Sequence, residues 1–197
     1  MGIVLTPPSY RQYSNPSVFL AGPIQGADNW QQTAAGIIHS LEPNLIIANP
    51  RRDVEFKGDF SDEMYNEQVD WETHHLRDAA NYGTILLWLA KEDRHDCGRA
   101  YAQTSRFELG EWFGWYRRHH LPTWAERGFA IGIEDGFSGG RYIKRRIMQD
   151  LPHVPVHNTL EDTCAYAARL IRKEHGVLPE PAESPFEMKD HWLNCKW

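Results

Sequence analysis

Short runs that are apolar throughout alternate with longer stretches in which apolar residues recur every three or four positions. Ser17–Ala21, 45–48, Thr84–Leu89, 128–133 and 154–156 are the short runs, and they read as buried strands. The first stops at Gly22-Pro23 and the second at Asn49-Pro50, both turn signals. Residues 28–41 carry Trp30, Ala34, Ile37, Ile38 and Leu41 at helical spacing, with Asp28 placed to cap the helix. Residues 61–81 predict a long helix capped by Ser61, with Met64, Gln68, Trp71, His75 and Ala79 sharing one face. Residues 105–120 set Leu109, Trp112, Phe113 and Tyr116 on an apolar side, 141–151 form a basic helix, and 160–175 close the pattern amphipathically. Residues 51–60 and 91–104 read as charged and polar loops.

Strands alternating with helices of 10–20 residues mean βαβ units and a parallel sheet. The strands are apolar at every position, as strands covered on both faces must be. Five strands and five helices therefore predict a three-layer α/β/α domain over 17–175. In such domains ligands bind beyond the carboxyl ends of the strands, where the strand order reverses. Residues 1–16, rich in Pro, Ser and Tyr, form an N-terminal arm, and 176–197 form a C-terminal tail. Trp192 and Trp197 in the tail are expected to pack on the chain's own body or on a neighbouring subunit.

At 197 residues the chain is long enough to bury a core without disulfide or metal staples. A net charge of −6 argues against a duplex nucleic-acid ligand, which asks for a basic face. No apolar run approaches the roughly 20 residues of a membrane span. The first residues lack an export signal, so a cytoplasmic location is expected. Cys97, Cys164 and Cys195 are widely spaced and read as free thiols. The ten histidines show no zinc-ligand spacing, so no metal or other cofactor is assigned.

The candidate chemistry gathers at strand ends. After the first strand comes Gly22-Pro23-Ile24-Gln25-Gly26, where glycines let backbone approach a ligand, or simply make a tight turn. Asn49-Pro50-Arg51-Arg52 follows the second strand; its arginines could hold a phosphate or carboxylate, or pair with Asp53 and Glu55. Within the long helix, Gln68, Trp71, Glu72 and His75 lie one turn apart and could line a pocket, or be a solvated face. Ser105 and Glu108 have the S-x-x-E spacing of a capping box. The same Glu108, in a helix's first turn, would be kept ionised by the macrodipole, as a carboxylate nucleophile requires. Gly136-Phe137-Ser138-Gly139-Gly140 matches G-x-S-x-G, and a serine triad would then need Asp162 and His175; an anion-binding turn is the other reading.

Taken together and in order, FLAGPIQG with NW, NPRR, EQVDWE, ILLWLA and ELGEW resemble the nucleoside 2-deoxyribosyltransferase-like proteins over 17–158. The resemblance implies a flavodoxin-like five-stranded parallel sheet and N-glycosidic chemistry on nucleosides. It puts the nucleophile at Glu108. The family's tyrosine before Leu-Ala-Gly is Phe19 here, and its sugar-holding aspartate falls near His75 or Leu76, for which Glu72 is the substitute and Asp70 the second choice. The stretch Tyr101-Ala102-Gln103-Thr104 carries no counterpart of the family's base-handling acid.

Glu108 and Glu72 are thus the candidate catalytic residues. Phe19, Gly22, Pro23, Gln25, Trp30, Arg51, Gln68, Asp70, Trp71 and Thr104 are candidate substrate contacts, and Trp30, Trp71 and Trp112 candidates for a wall that excludes water. The expected reaction moves 2-deoxyribose between bases through a glycosyl-enzyme ester. The alternatives are hydrolysis of a nucleoside, a nucleoside 5′-monophosphate or an NAD-like substrate, with Arg51 or the 136–140 turn holding phosphate, and a non-catalytic nucleotide sensor. Expected partners are a small-molecule nucleoside or nucleotide and a second copy of the chain, since related enzymes complete each site from a neighbouring subunit.

Overall fold

The computed structural model describes residues 2–52, 61–119 and 128–183; the expectations for Asp53, Glu55, Cys195, Trp192 and Trp197 lie outside the described residues. In chain order the elements are β1 (Ile3–Leu5), β2 (Ser17–Ala21), α1 (Trp30–Leu41), β3 (Ile46–Ala48), α2 (Asp62–Tyr82), β4 (Thr84–Leu89), α3 (Gln103–His119), β5 (Phe129–Ile133), α4 (Gly140–Asp150), β6 (Val156–His157) and α5 (Leu160–His175). The sheet is parallel, in the order β1-β3-β2-β4-β5-β6, a flavodoxin-like arrangement.

Side chains alternate across each strand and so divide the core in two. Phe19 and Ala21 of β2 join Leu87, Trp71, Leu109, Trp112, Tyr116 and Ile147 under α2, α3 and α4. Val18 and Leu20 join Trp30, Ile38, Trp88, Cys164 and Ile171 under α1 and α5. These are the three layers, and they explain why every residue of β2 and β4 is buried.

Three features differ from the sequence reading. The sheet has six strands among the described residues, not five, because Ile3–Leu5 pairs in register with Ile46–Ala48. Only Leu5 of these three is buried, so the segment lacks the apolar run by which the other strands announce themselves. The cap of α1 is Asn29, whose side chain accepts from Gln32 N, rather than Asp28. Helix α3 begins at Gln103, two residues early: Ala102 takes a positive φ of 58° and its carbonyl accepts from Arg106 N at 3.0 Å. Ser105 consequently lies inside the helix, buried, and Ser105–Glu108 is not a capping box. The Ser61 cap is as expected, accepting from Met64 N.

β2 has β3 on one side and β4 on the other, so the chain reverses its progress across the sheet beside β2. The crevice this reversal opens lies at the carboxyl ends of β2 and β4. Gly22 sits there with φ 151°, and a Cβ on it would lie 2.2 Å from the Trp88 carbonyl oxygen. Only glycine lets the two strand ends come this close.

Candidate active site

Helices α2 and α3 cover the same face of the sheet; Glu108 of α3 is buried there and feels the charge of Glu72 of α2. Glu108 is buried, with 8% of its surface exposed. It lies five residues after Gln103, so the first turn of α3 contains no acid. The macrodipole that would lower its pKa fades within that first turn. Burial governs instead and holds the Glu108 carboxyl well above the usual range, and the charges of Glu72 and Glu111 push it further up. The expectation of an ionised group at a helix start is corrected accordingly.

Glu72 is half-buried, and burial raises its pKa too. Two groups oppose that rise, the hydrogen bond from Gln68 and the charge of Arg52. Two carboxyls in a poorly hydrated space cannot both ionise easily, so the Glu72 charge adds to burial in holding the proton on Glu108.

The Gln68 side chain joins three elements of the site. Its Nε2 donates to the Pro50 carbonyl oxygen and to Glu72 Oε1, each at 2.8 Å. Its Oε1 accepts from Arg52 Nε at 2.8 Å. Arg52 also donates through Nη2 to Glu67 Oε1 at 2.6 Å. Gln68 and Glu72 were legible as one helix face; Arg52 was not singled out, because adjacent arginines in a loop give no sign of which one turns inward.

Arg51 takes a different part. Its Nε donates to Gln31 Oε1 and its Nη2 to the Ile24 and Asp28 carbonyls, at 3.0–3.1 Å. It braces the β2–α1 turn. Pro23 is buried in that turn, and its carbonyl accepts from Trp30 Nε1 at 2.8 Å. Gln25 and Thr104 are exposed, as is Asp70. Phe19 and Trp71 are wholly enclosed, with ring centroids 6.1 Å apart, and Trp71 Nε1 donates to the Ser9 carbonyl at 2.7 Å. Trp30 and Trp112 are buried as well. Of the candidates, the structure thus groups Gln68, Glu72 and Glu108, and sets Asp70, Gln25 and Thr104 toward solvent.

The 136–140 turn links β5 to α4, with Gly139 in the left-handed region at φ 77°. Arg106 of α3 stacks over Phe137 at 4.5 Å and donates to the Ser138 carbonyl at 2.7 Å. No triad forms on Ser138: Asp162 is engaged with Thr159 at the start of α5, while His175 ends the same helix. Among the described residues no group of three or more His, Cys, Asp or Glu stands where it could hold a metal ion. No described helix is long and apolar enough to cross a membrane.

The model of the family described as nucleoside 2-deoxyribosyltransferase like matches residues 15–120, more than half of the chain. The matched segment runs from just before β2 through α3 and contains Glu72, Glu108 and the groups that contact them. No curated protein matches the chain.

Proposed function

Because the chain belongs to the nucleoside 2-deoxyribosyltransferase-like family, we propose that it exchanges the base of a 2′-deoxynucleoside through a glycosyl ester on Glu108. The observation that carries this reading is the pair of glutamates, a half-buried Glu72 from α2 acting on a buried Glu108 from α3, on the sheet face beside the reversal of strand order.

Cleaving an N-glycosidic bond asks for two things at once. A carboxylate must meet the positive charge that grows on the anomeric carbon, and an acid must supply a proton to the departing base. Two carboxyls that share one proton supply both. In the resting site Gln68 and Arg52 favour the anion at Glu72, and burial favours the acid at Glu108.

When the sugar binds, the proton moves from Glu108 to Glu72, and Glu72 gives it to the base nitrogen. That nitrogen keeps the electron pair of the broken C1′–N bond. A Glu108 oxygen then forms the C1′–O bond, and Glu72 remains as the anion that steadies the sugar. An incoming base attacks C1′, the ester electrons return to Glu108, and the N–H proton of the acceptor restores the pair. Enclosure of Glu108 supports transfer over hydrolysis, since a site that admits little water leaves the ester for the second base.

The test is a panel of deoxynucleosides, each incubated with a different free base and followed by chromatography. Exchanged nucleoside is expected, with Glu108→Gln and Glu72→Gln each slowing exchange at least ~100-fold. Free base alone, from nucleosides, 5′-monophosphates or NAD, would replace transfer by hydrolysis. No product from any of them, or normal exchange by Glu108→Gln, would overturn the reading.

A further inference from the structure

We propose that Arg52 and Gln68 are positioning residues that decide which glutamate of the pair carries the proton, holding Glu72 as the carboxylate and leaving Glu108 as the acid. This rests on the pair being the reacting groups, as proposed above.

The direction of the chain of hydrogen bonds is fixed by chemistry. Arginine has only donors, so the Gln68 atom that meets Arg52 Nε at 2.8 Å must be the carbonyl oxygen. The Pro50 carbonyl only accepts, so the Gln68 atom that meets it at 2.8 Å must be the amide nitrogen. Both constraints orient the amide the same way. The group it presents to Glu72 Oε1, also at 2.8 Å, is therefore an N–H donor.

An N–H donor rewards an ionised acceptor about twice as much as a neutral one. At that oxygen a protonated Glu72 would set its own O–H against the amide N–H. Glu67 Oε1 holds the other side of the guanidinium at 2.6 Å, so Arg52 is fixed from two sides. The charged groups that act on the pair are Arg52, from the loop after β3, on Glu72 and Glu111, from α3, on Glu108; Glu67 of α2 pairs with Arg52. Arg52 is the cation acting on Glu72, and Glu111 adds a second negative field at Glu108. The asymmetry gives the resting site a defined acid on the residue that must later attack. Passing that proton to Glu72, and from Glu72 to the base, frees the nucleophile.

The experiment is a 13C NMR titration of glutamate carboxyls in the full chain. It needs no turnover. Glu72→Gln and Glu108→Gln identify the two steps of the pair. In the unaltered protein the lower step is expected to belong to Glu72. In Gln68→Met, which removes the donor while keeping length and helix propensity, that step should move up by about one pH unit or more. Arg52→Lys keeps the charge but loses the oriented Nε donor, and should move the same step in the same direction, by less. A lower step that belongs to Glu108 would overturn the proposal, as would a smaller shift in Gln68→Met. Failure of the exchange reaction itself is read separately: if Glu108→Gln exchanges bases normally, the functional reading fails whatever the titration shows.

Discussion

Replacing Trp71 by Phe distinguishes a frame from a contact surface. The indole is wholly buried beside Phe19, lies 4.3 Å ring to ring from His75, and donates to the Ser9 carbonyl at 2.7 Å. It fastens the segment that follows β1 onto α2, one residue before Glu72. Phenylalanine keeps the ring against Phe19 but removes roughly 40 Å³, about 1 kcal/mol at ~24 cal/mol per Å³. It also strips the Ser9 oxygen of its indole donor, which costs ~1–3 kcal/mol for a buried acceptor. His75 also hydrogen-bonds Ser9, so the lower part of that range applies. The expected loss is about 2–3 kcal/mol, or roughly 4–12 °C in Tm at this chain length. Urea unfolding at an unchanged slope measures it. With Trp71 inside the core, the KM for base exchange should stay within about threefold of the original. A loss under ~1 kcal/mol with a tenfold rise in KM would refute this reasoning and make Trp71 a substrate contact.

Two more outcomes follow from burial and close approach. Burial, with the neighbouring His74 adding to it, drops the His75 pKa from 6.5 to about 3. The unfolded chain then binds more protons than the native one between those values, so stability is full above pH 6.5 and drains as pH falls, by an order of 4–5 kcal/mol over the window. Glu72, Glu108 and Asp78, all raised, act oppositely: their contribution is present at low pH and fades as pH rises past the ordinary carboxylate range. Stability of His75→Leu against pH should therefore be flatter on the acid side, and parallel curves between pH 4 and 7 would contradict the assignment. Gly22→Ala places a methyl 2.2 Å from the Trp88 carbonyl and 2.7 Å from Trp30, and should cost more than ~2 kcal/mol in thermal unfolding; an unchanged Tm would show that the β2–β4 ends are not so close.

The central strands were legible because their burial leaves a plain signal. Val18 to Ala21 and Ile85 to Leu89 are apolar at every position, and only a sheet covered on both faces asks for that. β1 was not legible, since an edge strand of three residues with one buried side chain has no pattern to show. The start of α3 was misread because Ser105 and Glu108 fit a local rule, while the helix is begun by a left-handed alanine no spacing reveals. At the site, one helical turn from Gln68 to Glu72 could be read directly. The contact between Arg52 and Gln68 spans sixteen positions and two elements, so only the fold discloses it. Arg51 and Arg52 illustrate the same limit: neighbours in sequence, one braces a turn and the other steers a carboxylate.

The measurement that bears most directly on the proposed chemistry is capture of the ester. The protein is mixed with a deoxynucleoside substrate and no acceptor base, quenched in acid, and examined by intact-mass and peptide mass spectrometry. A deoxyribosyl adduct on the peptide that carries Glu108 is the predicted result; it should disappear in Glu108→Gln and on adding a second base. Base exchange with no adduct on Glu108, or an adduct on another residue that survives in Glu108→Gln, would contradict it.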